Sequence, residues 1–530
     1  MAMTLVRDAA VEKELDRIFA PYDQCEKPGT AVAVAVGGTP IYRKGFGLAN
    51  MDLPVLLSPA MRMRIGSTTK HFTSLAYMLL CEEGRAGIDD PVERHIPEIN
   101  KVAHGITMRQ LMGHIGGLRD SMSLSLLLHG NGTPIAERDL VAYYEVIDDL
   151  DFPAGTAWSY NNGGYILLTA AIERLTGETL DSVLERRIFR PLGMKDTLMR
   201  RWDNQFVPNS AALHMLGKDG RYVRDGLGME ISGAGGLVSS MDDMLIWLKH
   251  LDAPVIGSNL TWQLMREPQR LANGTSTGYG LGLITGDYRG ARTLMHGGSV
   301  AAGNSQMIKL PDVGLDISVA VNRSDASAVD LANQIIDALV EGLNDKPARA
   351  GDGRRATYVS SASRRVVRLS EHDGAQLLSY DGTPPMPVDD DGDGGLQPPS
   401  VLSYLQMRFT AGAGRGTLNE FGNADEMVEI EPDPDARLGN RVGVYDAGAV
   451  GALATLTENG DGAQLSFRDE HGGARFRLEP ITDLIWRASY TGAFAAIAGI
   501  LTFDADGGGF WIAGNRLGGV RFQVLTGRKN

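Results

Sequence analysis

Helical periodicity runs along this chain to about residue 342 and is not seen again. Phe72, Leu75, Ala76, Leu79 and Leu80 recur at the spacing of one helical face. Tyr165, Leu168, Ile172 and Leu175 do the same, with Gly177 placed as a C-terminal stop. "SSMDDMLIWL" opens another helix, with Ser240 and Asp243 spaced for a capping box. Strands flank these helices. "TAVAVAVGGTPIYRKGFGL" (30–48) reads as two strands about a Gly-Gly turn, and strand character returns at 279–286, 303–310 and 315–322, before a last helix at 327–342. The late strands have short connections, which favours antiparallel pairing. The first and last strands are expected to share one sheet, making residues 1–345 a single α/β unit.

Beyond Asp345, "NDKPARAGDGRR" has the composition of a linker, and short apolar runs then alternate with Gly and Asp turns. Two small antiparallel β-barrel domains are expected, over 346–435 and 436–530. The second shows six strands: "GALATLTEN", "AQLSFRD", "ARFRLEP", "AGILTFD", "GFWIAG" and "GVRFQVL". A length of 530 residues also exceeds what one core serves. "PPMPVDDDGDGGLQPP" (384–399) begins like a calcium loop. The position of the twelfth ligand is Ser400, so it reads as a mobile acidic linker.

Composition narrows the function classes. Net charge is −14, which disfavours a phosphate-tracking surface for nucleic acid. Two cysteines, Cys25 and Cys81, cannot build a disulfide framework or a metal site, and Cys81 is expected as a buried thiol. The ten histidines show no H-E-x-x-H spacing, and no nucleotide fingerprint follows a strand. No metal and no cofactor are therefore expected. The N-terminal segment lacks an apolar signal region, and residues 8–19 read as an amphipathic helix. No run of 18 apolar residues is present. The expectation is a cytoplasmic protein without membrane attachment, for which a homodimer is an open option.

Three short motifs carry chemistry. "RIGSTTKHFTSLAYMLL" (64–80) sets Ser67 one turn before Lys70 at a helix start. "FPAGTAWSYNNGGYILL" holds Tyr160 and Asn162 ahead of a helix, and "TLMHGGSVAAGNSQMIKL" holds His296, Gly297 and Gly298 beside a strand. Separately, each has a bland reading: a helix cap, a buried tyrosine, a structural histidine. At i and i+3 on a helix, however, Ser67 and Lys70 point the same way. A serine hydroxyl needs a base. A lysine becomes one when burial and the positive helix end lower its pKa from about 10.4.

Together, and in this order, the motifs resemble those of the penicillin-recognising serine hydrolases, whose signatures are S-x-x-K, Y-x-N and K-T-G or H-x-G. The resemblance extends over about residues 10–342. It implies Ser67 as nucleophile, with Lys70 and Tyr160 as proton acceptors whose order is open. It also implies Asn162 orienting Lys70 and binding a substrate carbonyl. The backbone N–H groups of Ser67 and Ser299 would form the oxyanion hole, with Gly297 and Gly298 admitting substrate to the strand. His296 stands where relatives carry lysine, so the site should be less cationic than in β-lactamases.

Two β domains after the catalytic unit make the chain most similar to the three-domain D-aminopeptidases of that family. That likeness implies cleavage of an N-terminal D-residue from small peptides, amides or esters through an acyl-serine. It also implies a loop from the last barrel reaching the cleft, expected within 481–499, with Asp483 facing the substrate amine. An esterase or β-lactamase-like hydrolase is the alternative. A non-catalytic binding protein on this fold would be expected to lose the motifs, and all three are intact. His95, His104, His114 and His214 are expected to be structural or exposed. His71 should point away from Ser67.

Overall fold

The structure, a computed structural model, describes residues 3–6, 11–351, 353–399, 406–492 and 497–525. Its first sheet has six antiparallel strands in the order Ile284–Tyr288, Ala291–Val300, Gly303–Leu310, Leu315–Val321, Thr30–Val36, Thr39–Phe46. The N-terminal hairpin thus closes onto the last strand, with Val321 opposite Thr30 and Leu315 opposite Val36.

Thr30–Val36 is an unbroken apolar run because both its faces are covered. Val32 and Val34 pack with Ile317 and Val319 under the helices Val11–Phe19 and Ala328–Leu339. Ala31, Ala33 and Ala35 face the large helical core instead, where small side chains let Trp247 and Leu248 approach. Burying each of these valines is worth roughly 1.5–3 kcal/mol.

At the centre of the helical core lies Thr69–Glu82, buried from Thr69 to Leu80. Its apolar stripe is as read from spacing, but the opposite face is covered too. Lys70 and His71 are therefore interior residues, and His71 accepts the Trp247 indole N–H at 3.1 Å. Gly177 ends Asn162–Thr176 at φ 72°. Ser240 caps its helix by accepting from the Asp243 N–H, but Asp243 does not close the box. Its carboxylate takes the Asp196 N–H and the Thr197 hydroxyl. His95, His114 and His214 are buried and His104 is exposed.

The segment after the linker forms a nine-stranded antiparallel sheet from Ala356–Val359 to Asn423–Ile430 and their neighbours. Its two edge strands, Met386–Pro387 and Asp389–Asp390, follow each other in the chain across Val388, so the sheet curls almost to closure. The acidic stretch is consequently no mobile linker. Asp389–Asp390 pairs with Gly395–Gln397, and Asp391 accepts the Asp393 and Gly395 N–H groups while pairing with Arg408. Ser400 lies outside the described residues.

The last unit is a closed eight-stranded barrel. Gly443–Asp446 and Ile485–Tyr490 add to the six strands legible in the sequence. The second addition makes 485–490 sheet, and the rest of the expected loop includes residues outside the described ones. Trp486 and Ala488 point into the barrel core. Residues 493–496 lie outside the described ones.

Barrel and catalytic unit are bound tightly. Leu124, Leu127 and Leu128 of the helix Ser121–His129 join the barrel's core cluster, and His129 Nε2 meets Asp469 Oδ2 at 2.5 Å. Nearby, buried Arg119 bridges Asp149 and donates to the Gly518 carbonyl at 2.9 Å. Asp151 sits beside it, its pKa raised to about 6 by burial, against the opposing pull of Arg119. Arg119→Ala would strand that carboxylate. The substitution is expected to weaken docking by about 3 kcal/mol. A lower thermal midpoint and faster limited proteolysis, with an unchanged far-UV spectrum, would report it.

Candidate active site

Ser67 lies in the 3-10 turn Gly66–Thr68 that runs directly into Thr69–Glu82. The turn is pressed onto the strand Ala291–Val300 because glycines stand on both sides of the contact. A Cβ on Gly298 would come within 1.9 Å of the Ile65 carbonyl oxygen. One on Gly66, whose φ is 51°, would come within 2.8 Å of the Ser299 nitrogen. Two hydroxyls tie the layers together: Ser305 donates to the Ile65 carbonyl at 2.9 Å, and Thr68 to the His296 carbonyl at 3.2 Å. The main chain at Ser67 is thereby held beside Ser299.

Lys70 is fully buried, and its Nζ has three oxygens around it. The Ala234 carbonyl is at 2.6 Å, Asn162 Oδ1 at 2.8 Å and Ser67 Oγ at 3.4 Å. A neutral amine has two N–H bonds and one lone pair. The two short contacts go to pure acceptors, so they take both N–H bonds and leave the lone pair for the serine hydroxyl. Burial holds the lysine pKa well below its ordinary value, and the Arg516 charge lowers it further, against a smaller opposing pull from Asp120. Asn162 is free for this task because Asn161 is the helix cap, accepting from the Gly164 N–H at 2.9 Å.

Tyr160 borders the same pocket. Lys70 Nζ is 4.8 Å from its ring centroid, the His114 ring is 4.3 Å away, and the Arg516 guanidinium is 4.6 Å away. His114 is at φ 62° and accepts the Asn161 N–H through Nδ1 at 3.1 Å, which fixes the turn carrying Tyr160. His296 is buried. Its Nδ1 is 2.6 Å from the Gly297 carbonyl, which can only accept, so that nitrogen carries the proton and Nε2 accepts the Tyr279 O–H at 2.9 Å. Burial and the nearby Lys70 lower its pKa to about 3. The residue standing in place of a family lysine is thus uncharged at neutral pH.

The geometry gathers Ser67, Lys70, Tyr160, Asn162, His296, Gly298 and Ser299. It does not gather Asp483. That side chain is largely exposed and receives both arms of Arg441, at 2.9 and 2.8 Å, which hold its pKa below the usual carboxylate range. That carboxylate's charge is already matched by a cation in place. The barrel instead presents Arg516, from the two-residue turn between Gly509–Gly514 and Leu517–Val524. "GNRLG" signals a hairpin turn, but nothing in it tells which way the turn faces. The Ala234 carbonyl is a backbone group and has no side-chain signature at all.

A family model described as Beta-lactamase matches residues 15–340. The D-aminopeptidase of Brucella melitensis is 27% identical over 381 residues, covering 70% of this chain and 71% of that protein. The D-aminopeptidase of Gluconobacter oxydans is 26% identical over 365 residues, 67% of each chain. Among solved structures, the octameric penicillin-binding protein homologue from Pyrococcus abyssi superposes with a TM-score of 0.57 at 20% identity. It covers 88% of this chain and 98% of its own. The D-amino acid amidase from Ochrobactrum anthropi gives 0.51 at 21% identity, covering 62% and 98%. At these identities the structural likeness is one of fold.

The acid limb of kcat/KM should report Lys70, since His296 stays neutral until about pH 3. Removing the neighbouring cation with Arg516→Gln raises the lysine pKa and leaves less free amine at a given pH. That limb is therefore expected to move to higher pH. A pH–rate profile of both proteins on one neutral ester checks it.

Proposed function

Because this chain belongs to the β-lactamase family, we propose that its cleft is a serine hydrolase site acting on an N-terminal D-residue of small peptides, amides or esters. The observation that carries the chemistry is the Lys70 amine. Asn162 Oδ1 and the Ala234 carbonyl each take one N–H bond, so in its neutral form the amine turns its lone pair to the Ser67 hydroxyl at 3.4 Å. Ser67 Oγ attacks the substrate carbonyl carbon as its proton passes to Lys70. The oxyanion is received by the Ser67 and Ser299 N–H groups. Collapse breaks the bond to the leaving nitrogen or oxygen, which takes the proton back from Lys70, with Tyr160 positioned to relay it. Water then attacks the acyl carbon and gives a proton to the same amine; the bond from that carbon to Ser67 Oγ breaks, the amine returns the proton to Oγ, and the acid leaves.

Preference for the D-configuration is supported by relatives aligned over about two thirds of this chain, which are D-aminopeptidases. In this reading residues 1–345 are the catalytic unit, and 346–435 and 436–530 are accessory barrels. The protein is cytoplasmic, acts on small molecules or short peptides and forms a homodimer, which light scattering would test. Among the described residues no helix is long and apolar enough to cross a membrane.

One observation favours an esterase as the second reading. Asp483, the expected reader of the substrate amine, is committed to Arg441, and an ester needs no such reader.

Hydrolysis of D-alanine p-nitroanilide is expected to exceed that of the L-isomer by at least about 10²-fold. Ser67→Ala is expected to lose about 10³-fold or more. Mass spectrometry after brief exposure to a D-amino acid ester should find the acyl group on the peptide containing Ser67. Turnover of p-nitrophenyl acetate or nitrocefin with none of the D-amides would transfer the assignment to the esterase reading.

A further inference from the structure

We propose that Arg516, carried to the cleft on the last hairpin of the barrel, binds a carboxylate of the substrate and so selects short substrates with a free carboxylate near the scissile bond. The proposal rests on the acyl-serine reading above and adds the charge class of what that site accepts.

Position comes first. Gly514 pairs with Leu517, so Asn515 and Arg516 form the whole turn, and both are exposed. The guanidinium nevertheless stands 4.6 Å from the centroid of the Tyr160 ring. Lys70 Nζ is 4.8 Å from the same centroid and 3.4 Å from Ser67 Oγ. An extended chain covers about 3.3–3.6 Å per residue. A carboxylate one or two residues from the scissile carbonyl therefore reaches Arg516 while that carbonyl lies at Ser67.

Charge comes second. Some arginines of the two β units are committed to carboxylates: Arg441 to Asp483, Arg521 to Asp504, and Arg365 to Asp381 and Glu420. Among the described residues Arg516 has none. It lies against the Tyr160 ring and acts through space on Lys70, His114 and Tyr380; the carboxylates beside Tyr380, Asp381 and Glu420, are already paired with Arg365. The carboxylate that acts on Lys70, Asp120, is fully buried. It already accepts from the Met122 and Gly163 N–H groups and the Ser123 hydroxyl. It can neither neutralise Arg516 nor meet an incoming ammonium. His296 is neutral and has both nitrogens engaged. The exposed charge at the cleft is thus a cation awaiting an anion.

Rigidity comes third. Two residues beyond Arg516, Gly518 gives its carbonyl to Arg119 at 2.9 Å and packs against Asp151. A Cβ there would meet Asp151 at 2.3 Å. The hairpin tip is seated before substrate arrives, so little ordering is lost on binding.

The test separates this assignment from the D-peptide reading. Ligand-observed NMR titration of N-acetyl-D-alanine and N-acetyl-D-alaninamide measures carboxylate preference without turnover. The kcat/KM values for D-alanyl-D-alanine and its C-terminal amide measure it in catalysis. Wild type is expected to favour the carboxylate member of each pair, and Arg516→Gln to cut the ratio about tenfold or more, the size of a charged hydrogen bond. Arg516→Glu should invert it. Thermal midpoints near wild type show that the variants fold. A loss through Lys70 alone would slow both members equally and leave the ratio unchanged. Equal affinities in wild type, or a ratio unmoved by Arg516→Gln, overturn the assignment while leaving the D-peptide reading intact. A charge preference in binding with neither peptide hydrolysed upholds Arg516 and removes the D-peptide reading.

Discussion

An amine kept out of water is the constraint on which this molecule turns. A lysine in solvent is a cation and takes no proton from serine. At position 70 the solvent is gone, and two fixed oxygens, one from an asparagine and one from a backbone carbonyl, hold both N–H bonds. The cost of burying the charge becomes the driving force for losing it. That single contact set makes demands on distant parts of the chain. Thr69–Glu82 must be interior, Asn162 must begin its own helix, and the loop at Ala234 must close over both.

The sheet answers a second demand, that the serine sit on an edge where a carbonyl can be gripped from two sides. A strand from near residue 300 lies against a turn from near residue 66, at a spacing that side chains would forbid. Glycine at 66 and 298 is what the approach requires. The sheet that carries this strand is closed by the chain's own N-terminal hairpin, so the beginning of the sequence braces a contact made by its middle.

Much of this could be read in advance. The α/β organisation, the strands that open and close the first sheet, and the motif residues at 67, 70, 160, 162 and 296 are all local patterns of spacing and residue type. Patterns lose their power where a residue's role depends on direction. Ile485–Tyr490 was hidden because Arg487 and Ser489 dilute its apolar alternation, though Trp486 and Ala488 do face the barrel core. The acidic run at 389–393 carries the composition of a disordered segment, yet a nearby arginine and two Asx-type turns make it a hairpin. Asp483 has the right residue type for reading an amine, and only the tertiary structure shows Arg441 already in its place. Arg516 has the opposite sign and an unremarkable setting in the sequence.

The barrel meets the cleft through a two-residue turn that belongs to no hydrophobic core. The base, by contrast, is fully buried in the helical core, with the half-buried nucleophile one turn away. Chemistry and recognition are therefore carried on different units, joined where Arg119 grips the hairpin at Gly518. A lineage that exchanged the tip of one hairpin would alter what the cleft admits and, through the same charge, retune the proton affinity of its base.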